Sequence, residues 1–324
     1  MMKLSVIASS LLLAACATPF IESQPVDGFI HAMHDQHQFK TEELQHWLAD
    51  AVIKDDILQK MAKPAEAMPW YKYRKIFLTD ARIDGGVQFW KDNAAALQRA
   101  EQQYGVPPEI IVAILGVETN YGKHQGKYRV IDALATLAFA YPPRSPFFLG
   151  ELENFLLLCR EQGLNPALPI GSYAGAMGMP QFMPSSFRRY AVDFDGNQQR
   201  DIWHSKTDII GSVAQYFAAH HWQKGHPIAV PMTAENNLYK TKITPNLKPD
   251  LRLAELESLN LKISVPLALS EKIKILELKQ EQSEELWAVL ENFYVITRYN
   301  HSPLYAMAVY QLSQSILNKK GSFP

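Results

Sequence analysis

One glutamate stands where its chemistry would be unusual. Glu118 belongs to the stretch Pro107-Pro-Glu-Ile-Ile-Val-Ala-Ile-Leu-Gly-Val-Glu-Thr-Asn-Tyr-Gly122. In a helix, Ile110, Ile111, Ile114, Val117 and Glu118 fall at offsets of zero, one, four, seven and eight, which puts the carboxylate inside an apolar stripe. A carboxyl group deprived of water holds its proton more tightly, and that raises its pKa towards the range where it can act as a general acid near neutral pH. A glutamate that only reaches back to water from a helix end has the same local sequence, so this stretch alone leaves both readings open.

A second cluster of oxygen side chains suggests a different chemistry. In Asp193-Phe-Asp-Gly-Asn-Gln-Gln-Arg-Asp201, oxygens at positions one, three and five resemble the opening of an EF-hand, since a hard cation such as calcium needs six to eight converging oxygens. Gln198 stands at position six instead of glycine and His204 at position twelve instead of glutamate, so the loop has to close later, on Asp208. An ordinary acidic turn fits the same residues. His31, His34 and His37 recur at three-residue spacing, but no cysteine or carboxylate completes a metal pattern, and a solvated helix face accounts for them. Cys159, in Phe155-Leu-Leu-Leu-Cys159, reads as a buried, inert thiol.

These residues need elements to hold them. The prolines before Glu118 suit a first helical turn and Gly122 suits a left-handed stop, so a helix is framed there. Thr41-Glu-Glu43 starts an earlier helix with Leu44, Trp47, Leu48, Ala51 and Val52 as its stripe, and Asp84 to Tyr104 makes another that ends at Gly105. From Glu109 to Trp222 the chain reads as helical, broken by loops. Tyr141-Pro-Pro-Arg-Ser-Pro146 is expected to be rigid and extended, presenting Arg144. Gly171 to Ser186 is glycine-rich, which lets backbone approach itself or a ligand closely. Alternating Leu259 to Val265 and Lys272 to Leu278, with prolines scattered among them, mark residues 225–285 as a small β-rich insertion. Helix is expected to return at Glu284 to Leu290, and a last helix follows Pro303.

The chain has 324 residues, 47% of them hydrophobic, enough for a sizeable core in two or more lobes. A net charge of −1 gives no electrostatic case for nucleic acid or for an anionic membrane surface. Met1-Met-Lys3 followed by apolar Leu4 to Leu13 reads as a signal peptide over residues 1–15, too short to span a bilayer. Leu13-Ala-Ala-Cys16 resembles a bacterial lipobox, which implies a lipidated Cys16; Ala17 after it implies sorting to the outer membrane of a Gram-negative cell, with the folded part in the periplasm. Residues 16–39 are then expected to be a tether. Cys159, left as a single thiol, has no partner for an intramolecular disulfide.

Together, Val117-Glu-Thr-Asn-Tyr-Gly122, Gly175-Ala-Met-Gly178, Gln181-Phe-Met-Pro-Ser-Ser186, the Asp193 loop and Thr297-Arg-Tyr-Asn300 resemble the membrane-bound lytic transglycosylase B family from about Trp70 to the C-terminus. The resemblance implies a mainly α fold: an α domain over residues 40–105, a lysozyme-like α core over 106–224 and 286–324, and a small antiparallel β domain over 225–285. It implies cleavage of the β-1,4 bond between N-acetylmuramic acid and N-acetylglucosamine in peptidoglycan, ending in a 1,6-anhydro sugar, with Glu118 as acid and then base. Glycosidases that use water normally need two carboxyl groups; an internal hydroxyl as the attacking group removes that need.

By the same resemblance Ser172, Gln181, Tyr299, Asn300 and Tyr305 contact substrate, Tyr216 and Tyr73 line the groove, and Arg144 meets the glycan or its peptide, although Pro143 precedes it where some relatives carry a second basic residue. For the tyrosines, a core aromatic with a satisfied hydroxyl remains the competing reading. No cofactor is implied for catalysis. A structural calcium ion is implied on Asp193, Asp195, Asn197, the backbone of Gln199, and Asp208. The implied partners are peptidoglycan strands and, through lipid, the outer membrane, with the protein a monomer. A lysozyme-type hydrolase and a non-catalytic glycan-binding scaffold remain alternatives. The carboxylates of Asp132, Glu151 and Glu153, the nearest candidates for a hydrolase's second acidic group, are expected on solvated helix faces.

Overall fold

The computed structural model describes residues 24–62 and 68–321. Cys16, the signal peptide and the first part of the expected tether lie outside the described residues. The chain divides into two compact units, residues 1–52 and 53–324.

In the first unit, α1 (Gln24–His37) occupies most of what the sequence suggested was a tether. Val26, Phe29, Ile30 and Met33 are buried along it at helical spacing. Histidines and aspartates interleaved with these residues dilute the stripe in the sequence, and the three- and four-residue steps still define one face. His31 and His34 are exposed and turn Nδ1 to the carbonyls of Asp27 and Phe39. In α2 (Thr41–Ala49), Leu44 and Leu48 are buried, and Trp47 meets Phe39 edge-on at 6.2 Å.

The second unit continues with α3 (Asp55–Ala62), α4 (Trp70–Phe77), α5 (Asp80–Asp92), α6 (Ala94–Tyr104) and α7 (Pro108–Thr119). The helix expected from Asp84 to Tyr104 starts earlier and breaks at Asn93, which leaves helical geometry (φ −122°, ψ 23°) while both its backbone N–H and its side-chain amide donate to the Phe89 carbonyl. Helix α7 is the centre of this unit and packs against α5, α6 and later α11 and α13. It is apolar all round, so Val112, Ala113, Leu115 and Gly116 are as buried as the stripe the sequence picked out. Its left-handed stop is Asn120 (φ 51°), not Gly122.

There follow β1 (Tyr128–Arg129), α8 (Val130–Ala140), α9 (Ser145–Gln162), β2 (Ile170–Gly171), α10 (Pro184–Tyr190) and α11 (Lys206–Ala219). The segment around Arg144 is not extended: Pro142–Arg144 form a short 3-10 turn that runs into α9, because prolines are as well suited to a first turn as to an extended chain. Asp132 and Glu151 are buried rather than solvated. Asp132 is held by Arg129, and Glu151 accepts the N–H and the hydroxyl of Ser185 at the start of α10.

The β part comprises β3 (Ala229–Ala234), β4 (Leu251–Arg252), β5 (Leu261–Ile263), β6 (Lys272–Lys279) and β7 (Glu284–Val289), ordered β4-β6-β7-β3-β5 and antiparallel throughout. Val230, Met232, Ile273, Ile275 and Ala288 form part of its own apolar core. The helix expected at Glu284 to Leu290 is instead β7, a central strand paired with β3 and β6. Glutamate, leucine and alanine favour a helix locally, and pairing on both sides overrides that preference. The chain closes with α12 (Glu291–Tyr299) and α13 (Pro303–Gly321).

Candidate active site

Glu118 is next to last in α7, so its place depends on how that helix ends. Asn120, Tyr121 and Gly122 all have positive φ (51°, 60° and 90°), a sharp reversal that L-residues adopt only when their surroundings hold them. The Tyr121 ring is driven between α5 and α7, and its hydroxyl donates to the Arg82 carbonyl at 2.8 Å. Gly116 makes room for it: a Cβ there would come within 2.6 Å of the Tyr121 hydroxyl. Thr119 accepts from the Gly122 N–H at 3.0 Å and donates to the Met179 carbonyl at 3.0 Å, tying the helix end to the glycine-rich loop.

That loop forms the facing wall. β1 and β2 pair Tyr128 with Gly171 and Arg129 with Ile170, which anchors its start. Ser172 Oγ accepts the N–H groups of Ala174 and Ala176, so its oxygen shapes the loop while its proton remains to be donated. Gly178 (φ 64°) lies where a Cβ would meet the Ile202 carbonyl oxygen at 2.4 Å. Gln181, at φ 53°, donates its amide to the Gly178 carbonyl at 2.8 Å and to that of Gln125 at 3.3 Å.

Helices α12 and α13 bring the remaining groups. Tyr305, buried on α13, donates its hydroxyl to Glu118 Oε1 at 2.5 Å. Tyr299 donates to the Pro180 carbonyl at 2.6 Å, joining α12 to the loop beside Gln181. Burial pushes the Glu118 pKa up to about 7, and the Tyr305 hydroxyl bond partly opposes the rise. Among the described residues no second carboxylate contributes to that shift. Burial, and then the charge of Glu118, also raise the pKa values of Tyr299, Tyr305 and Tyr73, so all three phenols lie within the electrostatic reach of the carboxyl group.

The other expected residues lie differently. Tyr216 is buried, donates to the Arg298 carbonyl at 2.6 Å and faces Tyr299 at 4.7 Å between ring centroids, so it backs the groove through Tyr299. Asn300 is exposed and accepts the Ser302 N–H. Arg144 is exposed on its turn, over the rings of Phe147 and Phe148 at 4.5 and 5.1 Å. Neither hydrogen bonds to Glu118. Thr119 and Gln125, which lock helix end and loop together, were not singled out from the sequence; the adjacency of Thr119 to Glu118 was the available signal.

The acidic loop has the donor set of a hard-cation site. Asp193, Asp195 and Asp208 each offer an oxygen, and these atoms lie within 4.8 Å of one another. Asp193 accepts the N–H groups of Gly196, Asn197 and Gln198, and the Asn197 side chain accepts that of Gln199, turns that fold the loop around a centre. Asp208 is fully buried and accepts from the N–H groups of Phe194, Asp195 and Asp201. Burial, and after the opposing hydrogen bonds the Asp195 charge, raise its pKa, a tension that a bound cation relieves. The three converging carboxylates fit a hard cation such as calcium, which Asp193, Asp195, Asn197, the backbone of Gln199 and Asp208 would hold.

Residues 22–314 match the transglycosylase SLT domain family. The chain is 42% identical over 311 residues to membrane-bound lytic murein transglycosylase B of Escherichia coli (strain K12), covering 92% of this chain and 84% of that protein. It superposes on the catenated lytic transglycosylase SltB1 of Pseudomonas aeruginosa with a TM-score of 0.90 and 46% identity, over 93% of this chain and 100% of that one. It superposes on the Escherichia coli lytic transglycosylase Slt35 in complex with calcium with a TM-score of 0.87 and 42% identity, over 94% of this chain and 96% of that one.

Proposed function

We propose, since the chain belongs to the transglycosylase SLT domain family of lytic murein transglycosylases, that Glu118 carries the whole acid–base cycle of murein cleavage. The observation that supports this most is a lone enclosed carboxyl group with a pKa near 7, in hydrogen bond with Tyr305 and with no other acidic side chain among its perturbing groups. A group that must give a proton and then take one back works best with a pKa near the working pH.

The Tyr305 hydroxyl occupies Oε1, so the transferable proton sits on Oε2. That proton passes to the oxygen linking N-acetylmuramic acid to N-acetylglucosamine, the bond from the muramyl anomeric carbon to that oxygen breaks, and the N-acetylglucosamine hydroxyl leaves. The muramyl N-acetyl group stabilises the positive anomeric carbon. The C6 hydroxyl oxygen then bonds to that carbon, its proton returns to Glu118, and the 1,6-anhydro ring closes with no water consumed. Gln181, Ser172 and Asn300 offer hydrogen bonds to the sugar, Tyr73 and Tyr299 wall the reacting ring, and Arg144 reaches for the strand or its peptide from the outer turn. Calcium on the Asp193 loop supplies rigidity and no step of the reaction. Lipid on Cys16 holds the enzyme at the periplasmic face of the outer membrane; its Escherichia coli relative is named as membrane-bound, and no helix among the described residues is long and apolar enough to cross a membrane.

Mass spectrometry of purified murein after digestion tests the chemistry. Anhydro-muropeptides, lighter by one water than hydrolysis products, are expected; reducing ends would establish the hydrolase instead, and no release the scaffold. Glu118→Gln is expected to lower release by about a thousandfold or more, since one group serves both halves of the cycle, and retained activity would remove Glu118 from the mechanism.

A further inference from the structure

Beside the catalytic wall lies a second recess, about 600 Å³ in volume, lined by Arg188, Arg189, Tyr190, Tyr216, His220 and Arg298 with small polar side chains between them. No carboxylate is among its lining residues. Arg188 is already engaged: its Nε and Nη2 donate to Glu161 and its Nη1 to Asn154. Arg189 and Arg298 pair with no acidic side chain among the described residues; they rest over the rings of Tyr190 and Tyr294 at 6.0 and 5.6 Å.

His220 lines the same recess. His220 donates Nδ1–H to the Tyr216 carbonyl at 2.7 Å, and its pKa is lowered by burial first, and then by the charges of Arg298, His221 and Arg189 against the effect of that hydrogen bond. These effects disfavour the charged imidazole, and the fixed charges of the cavity are its guanidinium groups. Such a recess favours a planar anion that two guanidinium forks can grip.

We propose that this recess is a subsite for the free carboxylates of the peptide stems carried by the murein strand, gripped by Arg189 and Arg298. The proposal rests on the lytic transglycosylase reading, because that substrate brings the carboxylates. Tyr216 forms the shared wall: one side of its surroundings is the recess, and its ring meets Tyr299, which lies in the field of Glu118. A peptide fixed to a sugar in the groove gains about 3.3 Å of reach per extended residue, so a few residues span two aromatic rings. Its attachment to a bound sugar also raises its effective concentration at the recess, so modest contacts suffice.

The test compares murein strands with their peptides and strands stripped of them by an amidase, reading the ratio of kcat/KM on the two substrates. In the Arg189→Gln/Arg298→Gln variant the preference for peptide-bearing strands is expected to fall about tenfold, the equivalent of about 1.4 kcal/mol, and the double lysine variant is expected to recover part of it. An unchanged ratio, or an equal loss on both substrates, overturns the proposal. Cosedimentation of Glu118→Gln protein with intact and stripped murein, with and without the arginine substitutions, reads the recess without catalysis. A loss of binding confined to intact murein supports the proposal, and no such loss overturns it. Failure of the wild-type enzyme to form anhydro product would overturn the acid–base reading instead, a result the sedimentation arm does not share.

Discussion

Glu118 shows what it costs to keep a carboxyl group poised. Its pKa rises from 4.5 to about 7 because burial penalises the charged form. A raised folded-state pKa means that the folded protein binds the proton more tightly than the unfolded chain, so this contribution to stability is full below about pH 4.5 and is lost as the pH climbs to about 7. At most it amounts to about 3 kcal/mol, and the groove's partial access to water lowers that. Glu118→Gln, which carries no charge at any pH, is therefore expected to melt at a higher temperature than the wild type at pH 8, with the gap closing at pH 4. Thermal melts at the two values decide it, and a gap of the same size at both would contradict the burial argument. The sequence made the burial of Glu118 legible because an acidic residue in an apolar helix stands out, while its stretch alone left its role open. Asp132 and Glu151 were misread because their burial depends on Arg129 and Ser185, partners that periodicity does not reveal.

The elements around the site were legible where the pattern is local and obscure where pairing is distant. The start of α7, the closing helix α13 and strand β6 follow from proline placement and alternation along their own residues. β7 did not, because its neighbours β3 and β6 are what make it a strand. The least legible device is the end of α7, where the Tyr121 ring fills the space that Gly116 leaves open and turns the chain directly after Glu118. Gly116→Ala puts a methyl group where the nearest atom of Tyr121 is 2.6 Å away, on a ring fixed by its bond to the Arg82 carbonyl. The variant is expected to lose about 1–3 kcal/mol of stability from overpacking. It is also expected to lose kcat rather than raise KM, since the displaced helix end carries the acid and not the sugar-binding wall. Denaturant unfolding and steady-state kinetics on the same preparation check both parts. Wild-type stability with wild-type kcat would show that Tyr121 moves aside freely.

Across the molecule, the acidic loop connects regions far apart in sequence. Phe194 lies under the Arg99 guanidinium of α6 and against Tyr104, and its N–H is held by Asp208 of α11. At the loop's far end the Ile202 carbonyl accepts the Met179 N–H at 2.9 Å, and the Trp203 indole donates to the Ile170 carbonyl at 3.2 Å. The loop thus braces the glycine-rich wall that carries Gln181. With Asp193, Asp195 and Asp208 converging inside it, repulsion among carboxylates opposes the compact form, and a bound cation would offset it. Calcium that binds only the folded protein stabilises it by about 2.7 kcal/mol at a hundredfold excess over Kd, so the melting temperature is expected to rise with calcium and fall with a chelator. Asp193→Asn with Asp195→Asn is expected to remove the calcium response, because it deletes two ionic ligands while keeping side-chain oxygens to accept the loop N–H groups. Asp208→Ala is expected to lower stability even without calcium, because the N–H groups of Phe194, Asp195 and Asp201 lose their acceptor. Identical melting curves with calcium and with chelator would reduce the loop to an acidic turn that braces the wall by hydrogen bonds alone.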